Sequence, residues 1–179
     1  MKKITLIVLL IVAIKSIAQD KMVTYGGIIH FEASIPLFEE VKASNEKTTC
    51  ILITKTGQIA CWINIKDFKF KRDLMQEHFN ENYMESSRFP RAVFKGKIEK
   101  FDLKNLNSES NQYQITGKIT IRGRTKKIVI TGTLKKVGKT IELHTVFRLN
   151  TDDFKIDIPL IVRSKISKNV STQLICVLE

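Results

Sequence analysis

The chain has 179 residues, with 30 lysines and arginines against 18 aspartates and glutamates, and a net charge of +12. This length is enough for one domain with a real core but hardly for two. The excess of positive charge is typical of proteins with an anionic partner, although a well-solvated basic surface explains it equally well.

Residues 1–18 have the pattern of a secretory signal peptide. A positive start (MKK) precedes an apolar run of eleven residues (ITLIVLLIVAI), and the small residues that follow predict cleavage after Ala18. A helix of that length rises about 16 Å, too short to cross a bilayer, so an uncleaved anchor is the weaker alternative. Three lysines lie in this leader, which leaves a net charge of +9 on residues 19–179. We therefore expect a periplasmic or secreted protein and no nucleic-acid partner.

Alternation of apolar and polar residues with a period of two dominates residues 19–179 and predicts β-strands. The alternating runs are CWINIKDFKF (61–70), AVFKGKIEKF (92–101), YQITGKITI (113–121), IVITGTL (128–134), IELHTVFRL (141–149) and VSTQLICVL (170–178). Short polar or glycine-containing links separate most of them, which is the rhythm of an antiparallel meander. About eight such strands close into a barrel or stack as a sandwich. The sequence therefore predicts one all-β domain.

Strand alternation fails in residues 70–84 (FKRDLMQEHFNENYM), where a short helix is predicted with Asp73 at its start. Its apolar face consists of Leu74, Met75, His78 and Phe79. A helix of this kind, inserted between two strands of a barrel, would cover one end as a lid. His78 has no second histidine at HExxH spacing and no recognisable nucleophile, so neither an enzyme nor a metal site is predicted. It remains either a hydrogen-bonded lid residue or a contact to a ligand head group.

Three glycines, Gly96, Gly117 and Gly132, fall in the apolar register of three different predicted strands. Glycine inside a strand weakens it unless a bend or a close approach requires the space. The sequence therefore leaves two interpretations open. The glycines either let the barrel wall coil, or they open room along its lumen for a ligand.

The chain has three cysteines, Cys50, Cys61 and Cys176, and the odd number leaves at least one thiol free. Cys50 and Cys61 lie in consecutive predicted strands, so they form a cross-strand disulfide or are simply small buried residues. No cysteine or histidine cluster has the spacing of a zinc site, and no cofactor is predicted.

Two long segments, residues 74–98 and 113–134, resemble the YceI-like family. The matching residues are His78, Phe79, Phe89, Pro90, Ala92 and Phe94, followed by Gly117, Ile119, Thr120, Ile121, Gly123 and Thr125. Together with residues 152–178, the resemblance covers nearly all of residues 24–178. It implies a single lipocalin-like antiparallel β-barrel of about eight strands with a short helical lid insertion, spanning residues 19–179. It also implies an elongated apolar cavity that binds an isoprenoid-type lipid, often in an exported protein.

The leading hypothesis is therefore a non-catalytic exported protein that holds an amphiphilic isoprenoid-type lipid or another long-chain amphiphile for transport, storage or sensing. The predicted cavity lining is Ile63, Ile65, Phe68, Phe70, Phe94, Ile98, Ile119, Ile121, Ile130 and Phe147. The predicted lid residues are Leu74, Met75, His78, Phe79 and Met84. Phe68 and Phe70 break the register of the preceding strand, so a bulge is expected near Asp67.

The alternative hypothesis is a filled barrel that acts as an envelope stress or surface-interaction factor through its basic face. The basic turn RGRTKK at 122–127 would then contact an anionic membrane or polymer. Peripheral contact with an anionic membrane and a homodimer both stay open.

Overall fold

The computed structural model describes residues 21–179, and antiparallel strands make up most of them. The predicted signal peptide, residues 1–18, lies outside the described residues. The strands are β1 (Lys21–Ser34), β2 (Lys42–Ile53), β3 (Gln58–Asn64), β4 (Lys69–Phe70), β5 (Arg91–Ile98), β6 (Asn111–Ile121), β7 (Arg124–Val137), β8 (Thr140–Asn150) and β9 (Ile166–Leu178). A helix, α1 (Asp73–His78), lies between β4 and β5. No helix in residues 21–179 is long enough and apolar enough to cross a membrane.

The strands close into a barrel. Neighbours in the sheet follow the order β1-β9-β8-β7-β6-β5-β3-β2, and β1 also pairs with β2, which joins the two edges. The short strand β4 pairs only with the start of β2. The predicted lipocalin-like antiparallel barrel of about eight strands with a short helical insertion is therefore confirmed.

The turn between β6 and β7 shows how the sequence sets a hairpin. Ile121 pairs with Arg124, so Arg122 and Gly123 alone make the turn, and both have positive φ angles of 47° and 68°. A turn with two positive φ angles matches the twist of the flanking strands, and glycine adopts that conformation without a steric penalty. The turn therefore holds β6 and β7 in register at the end of the barrel next to α1.

The ladder between β7 and β8 is incomplete. Backbone pairing joins residues 132–137 of β7 to residues 140–145 of β8. Within the described chain, residues 124–131 of β7 pair only with β6, and residues 146–150 of β8 pair only with β9. The barrel wall therefore has no backbone ladder along the half of this seam that is nearer to α1.

A register break separates β3 from β4. β3 ends at Asn64, and a 3-10 turn (Ile65–Asp67) follows, where a bulge near Asp67 within one continuous strand was predicted. The turn shifts the register of the strand as the predicted bulge was expected to do. Beyond it, Phe68 and Phe70 both face the barrel interior. The apolar face is kept although the strand is interrupted.

The lid helix α1 has six residues, fewer than two full helical turns, and its first residue differs from the prediction. Asp73 was expected to cap it, but Arg72 occupies the N-cap position without a capping bond from its side chain, and Asp73 is the first helical residue. Beyond α1 the chain widens into a π-helical turn (Phe79–Tyr83), in which Met84 N donates to Phe79 O at 2.9 Å. Short π-helical turns of this kind are frequent at functional sites.

The barrel interior is filled at one end and hollow at the other. The filled end, which we name the closed end, is covered by the loop 99–110 through Leu106. Its fully buried side chains, with 0% exposure, include Leu52, Ile98, Leu134, Ile141 and Leu178. The opposite end, next to α1, is the mouth. The apolar alternation of the strands therefore builds two different interiors in one barrel.

Gly96 and Gly117 face each other across β5 and β6, and the ring of Phe94 lies over both. A Cβ atom on Gly117 would lie 2.6 Å from Phe94 Cζ and 2.6 Å from the carbonyl oxygen of Lys95, far inside van der Waals contact. These two glycines do not open room for a ligand, because the space that they leave is taken by a protein side chain. The ring of Phe94 occupies that room, at the boundary between the closed end and the hollow half.

Cys50 and Cys61 are direct cross-strand partners on β2 and β3, and they form a disulfide. Cys176 on β9 is a free, buried thiol whose Sγ lies 3.3 Å from Cys50 Sγ. Burial raises the pKa of the Cys176 thiol to about 12, so the thiol stays protonated near neutral pH and is a poor nucleophile there. All three sulfur atoms belong to the closed end.

Reduction of the disulfide is expected to lower the free energy of unfolding by about 2–3 kcal/mol, because the reduced unfolded chain gains conformational freedom. Urea denaturation of a Cys176→Ala variant, with and without reductant, measures this difference, and the substitution removes the only other described thiol that could exchange with the bridge. Equal midpoints in the two conditions would mean that the bridge contributes nothing to stability.

Candidate functional site

The hollow half of the barrel is an apolar cavity of about 590 Å³ that opens at the mouth. Inward residues of β1, β3, β5, β6, β8 and β9 form its wall, and α1 with the following π-helical turn covers part of its opening. The segment between β8 and β9, residues 151–165, forms the remaining side. A cavity of this size lies in the range of small-molecule sites, which are mostly apolar with a few polar groups.

Four phenylalanines form the aromatic wall of the cavity below the lid. Phe79, the first residue of the π-helical turn, stacks on Phe31 of β1 with ring centroids 5.5 Å apart. Phe68 and Phe70 contact both of these rings at centroid distances of 5.0–5.7 Å. Aromatic pairs at such distances add to the stability of the burial itself. The lid is therefore fastened to β1 and to the β3–β4 connection through aromatic contacts.

Polar side chains among the lining residues gather at the mouth. Arg72, His78 and Lys165 are all exposed there, and Arg72 forms an ion pair with Glu39 across the opening. The Thr151 hydroxyl has no hydrogen-bond partner within residues 21–179, but its oxygen atom is covered by surrounding atoms and is not accessible from the cavity. The arrangement offers cations at the entrance, and the rest of the lining is mostly apolar with a few neutral polar side chains.

The segment after the lid is tied to the barrel by Arg122. The guanidinium of Arg122 forms an ion pair with Glu85 and donates to the carbonyl oxygen of Lys155. In the same turn, Lys126 forms an ion pair with Asp153. Two of the cations in the basic turn that the alternative hypothesis invokes are thus already neutralised within the molecule.

The structure brings most of the predicted site residues together. Those that line the cavity are Ile63, Ile65, Phe68, Phe70, Leu74, Met75, His78, Phe79, Met84, Ile119, Ile121 and Phe147. Phe94 and Ile130 line a smaller adjoining void of about 50 Å³ instead. Ile98 is fully buried in the closed end, on the far side of Phe94, and does not reach the cavity. That the lining side chains contact a ligand stays a prediction.

Several lining residues were missed from the sequence. Ile29 and Phe31 of β1 belong to an alternating run, GGIIHFEAS, which carried the same signal as the other strands. Phe154, Ile156 and Ile158 also line the cavity, but they lie at the end of one 3-10 turn and in the stretch before the next, where neither a strand nor a helix period applies. The first group was detectable by alternation, whereas the second depends on how an irregular segment folds over the barrel.

No group of three or more histidine, cysteine, aspartate or glutamate side chains within residues 21–179 is placed to hold a metal ion. His78, which follows Glu77 in the sequence, lies exposed at the mouth of the cavity and belongs to no such group within these residues.

The sequence profile of the YceI-like domain matches residues 19–177. The chain belongs to the YceI-like family. The family resemblance of residues 74–98 and 113–134 is thereby confirmed over almost the whole chain. A comparison of this YceI-like chain with curated proteins found no match.

Three solved structures share the fold of this YceI-like chain at low sequence identity. A polyisoprenoid binding domain from Saccharophagus degradans, implicated in plant cell wall breakdown, superposes with a TM-score of 0.77 at 12% identity, over 89% of this chain and 98% of that one. BcnA of Burkholderia cenocepacia has a TM-score of 0.70 at 15% identity, over 86% and 96% of the two chains. The YceI protein of Campylobacter jejuni has a TM-score of 0.60 at 18% identity, over 80% and 88%. At these identities the structures establish a common fold.

Proposed function

We propose that this protein binds a long-chain, isoprenoid-type amphiphile in its barrel cavity and catalyses no reaction. The observation that carries the proposal is the apolar cavity of about 590 Å³ with its wall of four phenylalanines. The similarity to a polyisoprenoid binding domain, and membership of the YceI-like family, support the same class of ligand. The signal-peptide pattern of residues 1–18 supports a location in the periplasm or outside the cell.

The binding would be driven by removal of hydrocarbon from water. Burial of apolar surface stabilises a complex by about 25 cal/mol per Å², so several hundred Å² correspond to a gross gain of roughly 10 kcal/mol. Part of this gain is offset by the ordering of a flexible chain and the loss of translational freedom. The cavity wall consists of aromatic rings and branched aliphatic side chains. The methyl branches of an isoprenoid chain fill the spaces between such side chains closely, and each close contact adds to the dispersion attraction.

The head group would lie at the mouth. Lys165 has no carboxylate within ion-pair distance in the described part of the chain, so its charge is available to an anion. His78 lies at the same opening. These groups favour an amphiphile whose polar end carries negative charge or several oxygen atoms.

The alternative, a barrel filled along its whole length and acting through the turn 122–127, fits this molecule less well. The half of the barrel near the mouth is hollow, and Arg122 and Lys126 already have carboxylate partners. The role in transport, storage or sensing and the homodimer stay predictions from the sequence.

Native mass spectrometry of protein purified from its own envelope, without a lipid-removing step, tests the proposal. We expect a mass excess that matches a prenyl lipid. After removal of the lipid, farnesol and geranylgeraniol should bind more tightly than hexadecan-1-ol, an unbranched alcohol with the same head group. Protein without an adduct that also fails to bind all three probes would contradict a lipid-binding role, and equal binding of hexadecan-1-ol would contradict the isoprenoid preference.

A further inference from the structure

Large apolar side chains point into solvent from three separate segments around the mouth. Leu37 is 103% exposed in the loop between β1 and β2, and Leu74 is 62% exposed on α1. Leu160 and Ile161, in the 3-10 turn Leu160–Val162, are 79% and 85% exposed. Exposure of apolar side chains of this size to water is unfavourable. Apolar side chains that cluster on one part of a protein surface usually mark an interaction site. We name these four residues the rim.

The three segments of the rim are neighbours in space. Ser34, which precedes the first loop, pairs with Ile166, which follows the 3-10 turn. The ion pair of Arg72 with Glu39 connects the start of α1 to the first loop. Residues next to the rim on all three segments, among them Val162, line the cavity. The rim therefore surrounds the opening through which a ligand would enter.

Basic residues lie close to the rim in the chain. Arg163 and Lys165 lie two and four residues after Ile161 in the chain, and no carboxylate of residues 21–179 lies within ion-pair distance of either. The acidic groups of the first loop are already neutralised, Glu39 by Arg72 and Glu40 by Lys42 at 2.9 Å. Exposed aliphatic tips beside unpaired basic residues are the composition of segments that bind the interface of an anionic bilayer.

We propose that the rim docks this protein on an anionic lipid bilayer, with Leu160, Ile161 and Leu37 entering the interface and the mouth facing the membrane. The inference rests on the proposed function. A long hydrocarbon chain leaves a bilayer slowly when it must pass through water, because its whole apolar surface would be hydrated on the way. A mouth held against the interface lets the chain move between bilayer and cavity without that step.

Vesicle flotation of the full-length mature protein tests the docking. We expect binding to vesicles of phosphatidylcholine with phosphatidylglycerol, weaker binding at high salt, and much weaker binding to phosphatidylcholine alone. The double variant Leu160→Ser/Ile161→Ser should bind the anionic vesicles about tenfold more weakly or worse, because two aliphatic side chains no longer enter the interface.

A matched control removes the same kind of apolar surface from the opposite end of the barrel. Val137 and Val177 are also exposed, near the closed end. The variant Val137→Ser/Val177→Ser should bind vesicles as the unmodified protein does. Equal losses in the two double variants, or no vesicle binding by the unmodified protein, would overturn the docking proposal.

Farnesol binding in solution separates this proposal from the proposed function. Leu160 and Ile161 do not line the cavity, so their double variant should bind farnesol with unchanged affinity. Unmodified protein that binds farnesol but not vesicles overturns the docking alone, whereas protein that binds vesicles but no lipid probe overturns the ligand proposal. A different outcome is a dimer in solution that the double variant Leu160→Ser/Ile161→Ser dissociates, together with no binding to vesicles. That result would assign the rim to contact with a second copy of the chain and would overturn the proposal that it docks on a membrane.

Discussion

Replacing Ala92 with tryptophan is expected to weaken the binding of geranylgeraniol by about 60-fold. Ala92 is a buried residue of β5, and its side chain faces both the cavity and the adjoining void. An indole there would occupy space that the prenyl chain needs. A loss of on the order of 100 Å² of buried ligand surface lowers the binding free energy by about 2.5 kcal/mol. This loss corresponds to a dissociation constant that is about 60-fold higher. Titration of delipidated protein with the probe measures the effect.

The control for this variant lies on the same strand. Lys97 is exposed on the outer face of β5, so Lys97→Trp adds the same side chain outside the barrel. Its affinity for the probe should equal that of the unmodified protein. Both variants should unfold near the same temperature, because the indole of Ala92→Trp enters a hollow region rather than a filled core. An unchanged affinity in Ala92→Trp would show that the ligand does not occupy this cavity.

Replacing Gly117 with alanine is expected to lower the free energy of unfolding by about 3 kcal/mol, a large effect for a single methyl group. The new Cβ would lie 2.6 Å from both the Phe94 ring and the Lys95 carbonyl oxygen, so the ring and the β5–β6 ladder must shift. Thermal or urea unfolding measures the change. Gly26→Ala is the matched control, because a Cβ at Gly26 would have no atom within 4 Å.

A double-mutant cycle with Phe94→Ala separates the two contacts at Gly117. If the ring causes most of the strain, Gly117→Ala should be less destabilising in the Phe94→Ala background than alone. Equal destabilisation in both backgrounds would place the strain in the backbone contact to Lys95 instead. A Gly117→Ala protein as stable as Gly26→Ala would contradict the close packing of Phe94 over this glycine pair.

Strands β3 and β5 to β9 could be predicted because each has one face on the core and one on solvent, and that asymmetry is visible as alternation. Alternation alone did not distinguish a closed barrel from a sandwich, since both have one apolar face per strand. Closure depends on the pairing of β1 with β2 and with β9, contacts between distant parts of the chain that the resemblance to the YceI-like family supplied.

The site was predicted less completely than the fold. Alternation shows that a residue faces inward, but it does not show how far along the barrel it lies. Ile98 and Ile119 carry the same signal, yet Ile98 is buried in the closed end and Ile119 lines the cavity. The position of Phe94 over its glycine pair divides the interior. Side-chain packing between strands, which no single strand encodes, therefore decides where the hollow begins.

The incomplete ladder between β7 and β8 bears on what holds the wall of the cavity together. In a barrel whose strands are all hydrogen-bonded along their full length, any widening of the interior must break or stretch backbone hydrogen bonds. Here residues 124–131 and 146–150 each keep a backbone ladder only to the strand on the other side, and the ion pair of Lys126 with Asp153 joins the two edges near the mouth. The circumference of the hollow half is thus fixed at this seam by side-chain contacts instead of backbone hydrogen bonds.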